Sequence, residues 1–389
     1  MINIERDLTI PKINKLYQEL LSNKDTVIDI QLPKKIEKSD FGVLFSFIQF
    51  FATWVRNKKS GNLYLPVNGV EDAIKYLEEN EFVYPAIVLS WEKDILDAEG
   101  LNIKNELKAP SKKYFERMDF FDLKGHLSVP IFCFDHDKSN RGLSKHFYNS
   151  NRELISEGAM GFNLYRAFQK IGSFNKTIFR DSLSNSLDSF NAIIHELFGN
   201  TNEHAKTNEL GYNLYPNIRA IQLKFHRKPI TKYLELYQDF DGLVEYFQSD
   251  FTVNTLGEIY LLEISIVDSG PGLVKRYKGI SEYDITVNEE VEVIKECLYR
   301  HNTSTSGLGA EIKGIGLDRV LQTIDGKGFL RIKSGRADLI RNMKTLRYVH
   351  HEKASDILLF DLENNSSSTF TVNPEVEGTL ISIFYPLEF

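Results

Sequence analysis

Glu196, Asn200 and His204 recur at four-residue steps within residues 191–205, NAIIHELFGNTNEHA. On a helix that spacing puts all three side chains on one face. A carboxylate one turn before an amide can hold a water and a metal ion side by side. The carboxylate would take the water's proton, and the amide oxygen would face the cation. Ile193, Ile194, Leu197 and Phe198 give the neighbouring face apolar cover. Taken alone, the stretch reads first as an amphipathic helix with a polar face.

Further chemistry-bearing groups follow in order. Asp268-Ser269-Gly270-Pro271-Gly272 closes the apolar run 258–267, EIYLLEISIV. An aspartate at a strand end, beside a turn that glycines allow, can accept the exocyclic amine of a purine base, and taken alone the motif reads as a strand-ending turn. Gly307 and Gly309 lie in STSGLG, and Lys313-Gly314-Ile315-Gly316-Leu317 opens a helical period through Val320, Leu321 and Ile324. Glycines at a helix start let backbone N–H groups approach a phosphate, and Lys313 can add a charge-assisted contact. Glu377-Gly378-Thr379 precedes a last apolar run, 380–385. Asp135, His136 and Asp137 could bind a metal, but with no second ligand set they read as a solvated turn.

These groups need elements to position them. Alternation predicts a strand at 218–227, the apolar run 258–267 reads as a second, and 329–334 and 380–385 read as two more, with the helix 191–205 ahead of them. Residues 151–190 read as broken helix, and 229–257 as an insertion, partly helical. Residues 273–306 read as a polar mobile segment with a short helix near 291–300. In the first half, strands are expected at 26–32, 62–67 and 85–91, with helices at 41–58, capped by Ser39 or Asp40, and 71–80. That order implies a parallel sheet with right-handed crossovers. A further strand is expected at 129–134. The domain boundary is placed near 150, giving an α/β domain over 1–150 and a second domain over 151–389.

Composition bounds the rest. The 389 residues are 42% hydrophobic with net charge −7, which supports a sizeable core and argues against whole-surface attraction to nucleic acid or an anionic membrane. Cys133 and Cys297 form no zinc spacing or disulfide framework, which fits a reducing cytoplasm. The N-terminus has no signal-peptide core, and the apolar run 41–55 is short for a membrane span. Residues 325–353 carry eight Lys or Arg against three Asp or Glu. Without aromatic interleaving, they read as a solvated sheet edge rather than a nucleic-acid or acidic-partner surface.

In this order, ExxxN on a helix, DxGxG after a strand, paired GxG motifs opening a helix and GT before a final strand resemble the GHKL ATP-binding superfamily. That group takes in gyrase B subunits, ninety-kilodalton heat-shock chaperones, histidine kinases, MutL proteins and anti-sigma serine kinases. The resemblance covers about residues 185–387, and the motif style is nearest the anti-sigma kinases. It implies an α/β sandwich of the Bergerat type behind a smaller N-terminal α/β domain, which itself loosely resembles STAS domains in pattern. It also implies ATP and Mg2+ as ligands, with Glu196 as general base and Asn200 as magnesium ligand. Asp268 would be the adenine acceptor, with Gly270 and Gly272 shaping its pocket. Gly307, Gly309, Lys313, Gly314, Ile315, Gly316 and Leu317 would form the lid hinge and phosphate-facing helix start, and Thr379 would be a hydroxyl near the base. His204 becomes a pocket neighbour rather than a phospho-acceptor. Two departures stand out: the long insertion at 229–257, and lid glycines spread over ten residues. A switch ATPase with a protein partner, a serine/threonine kinase and a non-hydrolysing scaffold all stay open, as does homodimerisation.

Overall fold

A computed structural model describes residues 1–388 except 23–26, 38–40, 58–59, 125–126, 136–141, 174–182, 283 and 300–315. The chain is mixed α/β with two sheets. The first half supplies β1 (Ile2–Asn3), α1 (Ile10–Ser22), β2 (Ile30–Gln31), α2 (Val43–Asn57), β3 (Leu63–Tyr64), α3 (Gly69–Glu79), α4 (Val83–Leu89), β4 (Ile95–Leu96) and α5 (Lys108–Asp119). Strands β1 to β4 form a parallel sheet in sequence order.

The expected strand at 85–91 is instead part of α4. A short apolar run gives no period that separates a strand from a buried helix. Val83, Ala86 and Ile87 share a buried helical face, and Pro85 sits in the first turn, where its missing N–H costs nothing. Ile95–Leu96 takes the place in the sheet.

The second half supplies α6 (Glu157–Gly172), α7 (Leu187–His204), β6 (Arg219–Pro229), α8 (Ile230–Leu236), α9 (Asp241–Gln248), β7 (Glu258–Asp268), α10 (Gly272–Lys278), α11 (Val287–Leu298), α12 (Gly316–Thr323), β8 (Phe329–Gly335), β9 (Ala337–Asn342), β10 (Phe360–Asp361) and β11 (Val376–Pro386). With β5 (Ser128–Cys133) they build an antiparallel sheet in the order β10-β9-β8-β11-β7-β6-β5. Its edge strand β5 comes from residues before 150, so the sheet begins ahead of the expected boundary. Residues 273–306 carry two helices in their described part. A capping box of Thr286 and Glu289 starts α11 four residues earlier than its apolar period suggests.

Strand alternation gives the large sheet two different faces. Ile264, Ile266, Ile332, Ile381 and Ile383 are buried on one, toward α6 and α7. Glu263, Ser265, Arg331, Lys333 and Ser382 are equally buried on the other, under α2 and the insertion helices. The insertion is thus core: Tyr233 and Tyr237 stack on Phe247, whose ring meets Phe384.

The polar face is satisfied partly by its own groups and partly by the first half of the chain. Phe41 and Gly42 donate their N–H groups to the Glu263 carboxylate at 2.9 and 2.6 Å, which caps the entry to α2. His226 Nε2 lies 2.7 Å from the same carboxylate. Arg331 bridges Asp338 at 2.8 Å and donates to the Phe41 carbonyl at 3.0 Å. The Phe41 ring stacks on Phe384 with centroids 4.5 Å apart. Gly42, at φ +72°, lets the chain pass over Ser382, where a Cβ would come within 2.2 Å of the serine oxygen. Glu263→Gln is expected to destabilise the fold by about 3 kcal/mol, because an amide cannot accept from all these donors. Urea unfolding checks this, and wild-type stability in the variant would contradict the account.

Among the described residues, no helix is long and apolar enough to cross a membrane.

Candidate functional site

The predicted helix forms as α7, and its apolar residues Phe190, Ile193, Ile194, Leu197 and Phe198 face the sheet. Glu196 and Asn200 lie half-buried at the margin of that face. Burial raises the Glu196 pKa above the ordinary carboxylate value, and nearby Glu203 and Glu157 add to the effect while Arg319 opposes it. Such a carboxylate holds a proton more readily than a solvated one, as a base must.

Asp268 ends β7 and is 8% exposed. Its Oδ1 accepts the Gly270 N–H at 2.8 Å, and the Thr379 backbone also donates to the carboxylate. Burial outweighs these donors and the charges of Arg56 and Arg219, and lifts the pKa to about 6. The turn after Asp268 tolerates no side chain where it meets its neighbours. A Cβ on Gly270 would lie 2.7 Å from the Ala205 Cα, so this turn abuts the C-terminal end of α7. Asn217 Nδ2 reinforces the junction by donating to the Ala205 carbonyl at 2.8 Å. The turn after β7 therefore abuts Ala205 at the C-terminal end of α7, the helix that carries Glu196 and Asn200 farther back.

Gly378 seals the other side. It has φ +74°, and a Cβ there would lie 1.9 Å from the Asp268 carbonyl oxygen. Gly378→Ala is expected to lower stability by about 3 kcal/mol, from backbone strain and the forced separation of β11 from β7. Thermal unfolding tests it; an unshifted melt would show that the two backbones do not meet. Thr379 Oγ1 lies 3.1 Å from Ser334 Oγ, which also accepts the Leu273 N–H at 2.9 Å. Gly272, at φ +81°, fits beneath that serine.

Gly316 starts α12, which packs along α7 and is tied to α6 by Arg319, bonded to Glu157 at 2.9 and 3.1 Å. Leu317 packs against the core. Gly307, Gly309, Lys313, Gly314 and Ile315 lie outside the described residues, as do His136 and Asp137.

Two arginines escape the motif reading. Arg219 stands opposite Asp268 across β6 and β7, fully buried, and donates to Asn202 at 2.8 Å and to Asp135. Asp135 is thus an ion-pair partner. Arg56, in the last turn of α2, bonds behind the Asp268 turn. Its only sequence signal is the polar stripe Ser46, Gln49, Thr53 and Arg56 in an otherwise apolar helix.

Most of the basic stretch 325–353 is paired, although Arg347 and Lys353 stay exposed. Arg331 and Lys333 engage Asp338, Arg336 engages Glu290, Arg347 engages Asp325 and Lys327 engages Glu388. Arg341 and Lys344 donate to the Leu358 and Asp250 carbonyls. This charge is spent within the fold. Among the described residues no group of three or more His, Cys, Asp or Glu could hold a metal ion. A magnesium ion here would draw most of its ligands from phosphates and water, the usual arrangement for that ion.

No protein-family model matches this chain, and comparisons with curated proteins and with solved structures find no match.

Proposed function

We propose that this chain is a magnesium-dependent ATP-binding protein of the GHKL type that hydrolyses ATP and couples nucleotide state to a protein partner. The observation that carries the reading is the junction of Asp268 with α7. A buried carboxylate at a strand end sits in a turn closed by Gly270 and Gly378, and that turn rests on the helix bearing Glu196 and Asn200.

Asp268 accepts the adenine amine, and burial excludes competing water from that bond. Thr379, beside the same carboxylate, completes the polar edge of the base pocket. One turn apart on α7, Glu196 takes the proton from the attacking hydroxyl and Asn200 supplies one ligand to magnesium. The ion, when bound, neutralises charge on the transferring phosphoryl group. The glycines at 307–316 and Lys313 supply the phosphate contacts that the motif order assigns to them.

Water and a protein hydroxyl are served by the same base, so the phosphoryl acceptor is the branch point. Incubating the protein with γ-labelled ATP and magnesium, and following free phosphate and labelled protein separately, decides it. Free phosphate alone is the expected result. Label on a protein would make the chain a kinase, and tight binding without turnover would make it a scaffold. Absence of ATP binding would overturn the reading altogether.

A further inference from the structure

Arg56 belongs to the first half of the chain, yet among the described residues its side-chain hydrogen-bond partners lie in the second. Its side chain is 10% exposed. Nη1 donates to the Ser269 carbonyl and to Glu377 Oε2 at 3.0 Å. Nη2 donates to the Pro216 carbonyl at 2.9 Å and to Ser269 Oγ at 3.2 Å. One planar guanidinium thus joins three segments: the turn after Asp268, the loop leading into β6, and the residue before Gly378. Ser269 is locked further, since its N–H donates to the Ile218 carbonyl at 3.0 Å and its Oγ accepts the Ile218 N–H at 2.9 Å. One turn earlier on α2, Thr53 Oγ1 accepts the Glu377 N–H at 3.1 Å. The far end of α2 is held by Glu263. The helix is therefore fixed at both ends to the sheet that carries Asp268.

We propose that Arg56 is a positioning residue for the base pocket, holding the Asp268 turn from behind so that the carboxylate is aimed at the exocyclic amine of a purine. Arg56 does not touch the nucleotide. It acts through Ser269 and Glu377, and so makes base discrimination depend on a helix of the N-terminal half. Lysine cannot reproduce this, because a single ammonium cannot present the two-pronged fork that four acceptors require. The inference rests on the ATP-binding reading.

The test uses the full chain and two probes, ATP and purine riboside triphosphate, which lacks only the 6-amino group. Affinities are measured for wild type, Arg56→Ala, Arg56→Lys and Glu377→Gln. Wild type is expected to favour ATP by about tenfold or more, the worth of one hydrogen bond to a charged group. In Arg56→Ala that preference collapses toward unity while affinity for the purine riboside probe stays within about threefold. Arg56→Lys and Glu377→Gln lie between, and they carry the test if the alanine variant does not fold. A wild-type preference retained in folded Arg56 variants would overturn the positioning role. Equal loss of both probes would also overturn it, leaving Arg56 as scaffolding only. A wild type that binds neither probe, or binds both equally, would instead defeat the adenine assignment itself.

Discussion

Asp268→Asn weakens ATP binding by about tenfold to a hundredfold, because the exocyclic amine loses a charged acceptor in a buried setting. The same substitution is expected to stabilise the free protein at neutral pH. The Asp268 carboxyl is raised to about 6 by burial, against about 3.9 in an unfolded chain. The sign follows from proton counting. Between about pH 4 and 6 the folded state holds a proton that the unfolded state releases, so stability falls as pH rises through that window. The cost on reaching pH 7 is on the order of 3 kcal/mol, and asparagine does not incur it. The variant should match wild type in stability near pH 4 and exceed it above pH 6. Wild-type ATP affinity should decline as pH falls below about 6, whereas the weaker binding of the variant should not follow that profile. Titration calorimetry and denaturant unfolding across pH 4–8 read both effects. A variant that binds ATP as tightly as wild type would remove Asp268 from the base pocket. A carboxylate kept at a cost in stability is the pattern expected of a site selected for binding.

Glu196→Gln removes turnover and spares binding. General-base catalysis contributes about a hundredfold to ten-thousandfold, so the turnover rate should fall by that factor. The dissociation constant for ATP should stay within about threefold, since the nucleotide is held elsewhere. The carboxylate lies half-buried at the margin of α7, and its pKa is raised chiefly by that burial. The amide removes a charge that burial disfavours, so the variant should melt no lower than wild type at neutral pH. A rate unchanged by the substitution would require another base. Loss of binding together with rate would instead give Glu196 a part in holding the nucleotide.

Much of the architecture was legible from local pattern. The alternation in 218–227 and the apolar runs 258–267 and 380–385 predict strands, and β6, β7 and β11 form there. The apolar period around Glu196 predicts a helix, and α7 forms. The strand at 218–227 and the helix announce themselves by their periods of 2.0 and 3.6 residues, and the other two by β-branched and aromatic apolar residues bounded by turn signals. The short run at 85–91 is the counter-case: with seven residues and no period, it folds largely as a helix whose Pro85, Ala86, Ile87 and Leu89 are buried while Val88 is partly exposed.

By itself the sequence determined which residue types stand at strand ends and helix faces: Glu196 four residues before Asn200, Asp268 before Gly270, and Gly378 before Thr379. It also placed polar residues two apart inside otherwise apolar strands, Glu263 and Ser265 in β7 and Arg331 and Lys333 in β8, each pair on one face of its strand. Such a face ordinarily meets water. Tertiary structure alone decided that it does not. Glu263, Arg331, Lys333 and Ser382 lie beneath the first half of the chain, and α2 crosses them from the cap on Glu263 to the fork of Arg56 behind Ser269. No periodicity announces that arrangement. Its hydrogen bonds join residues 160 to 324 positions apart, and a buried polar face has the same sequence pattern as a solvated one until its partners are known.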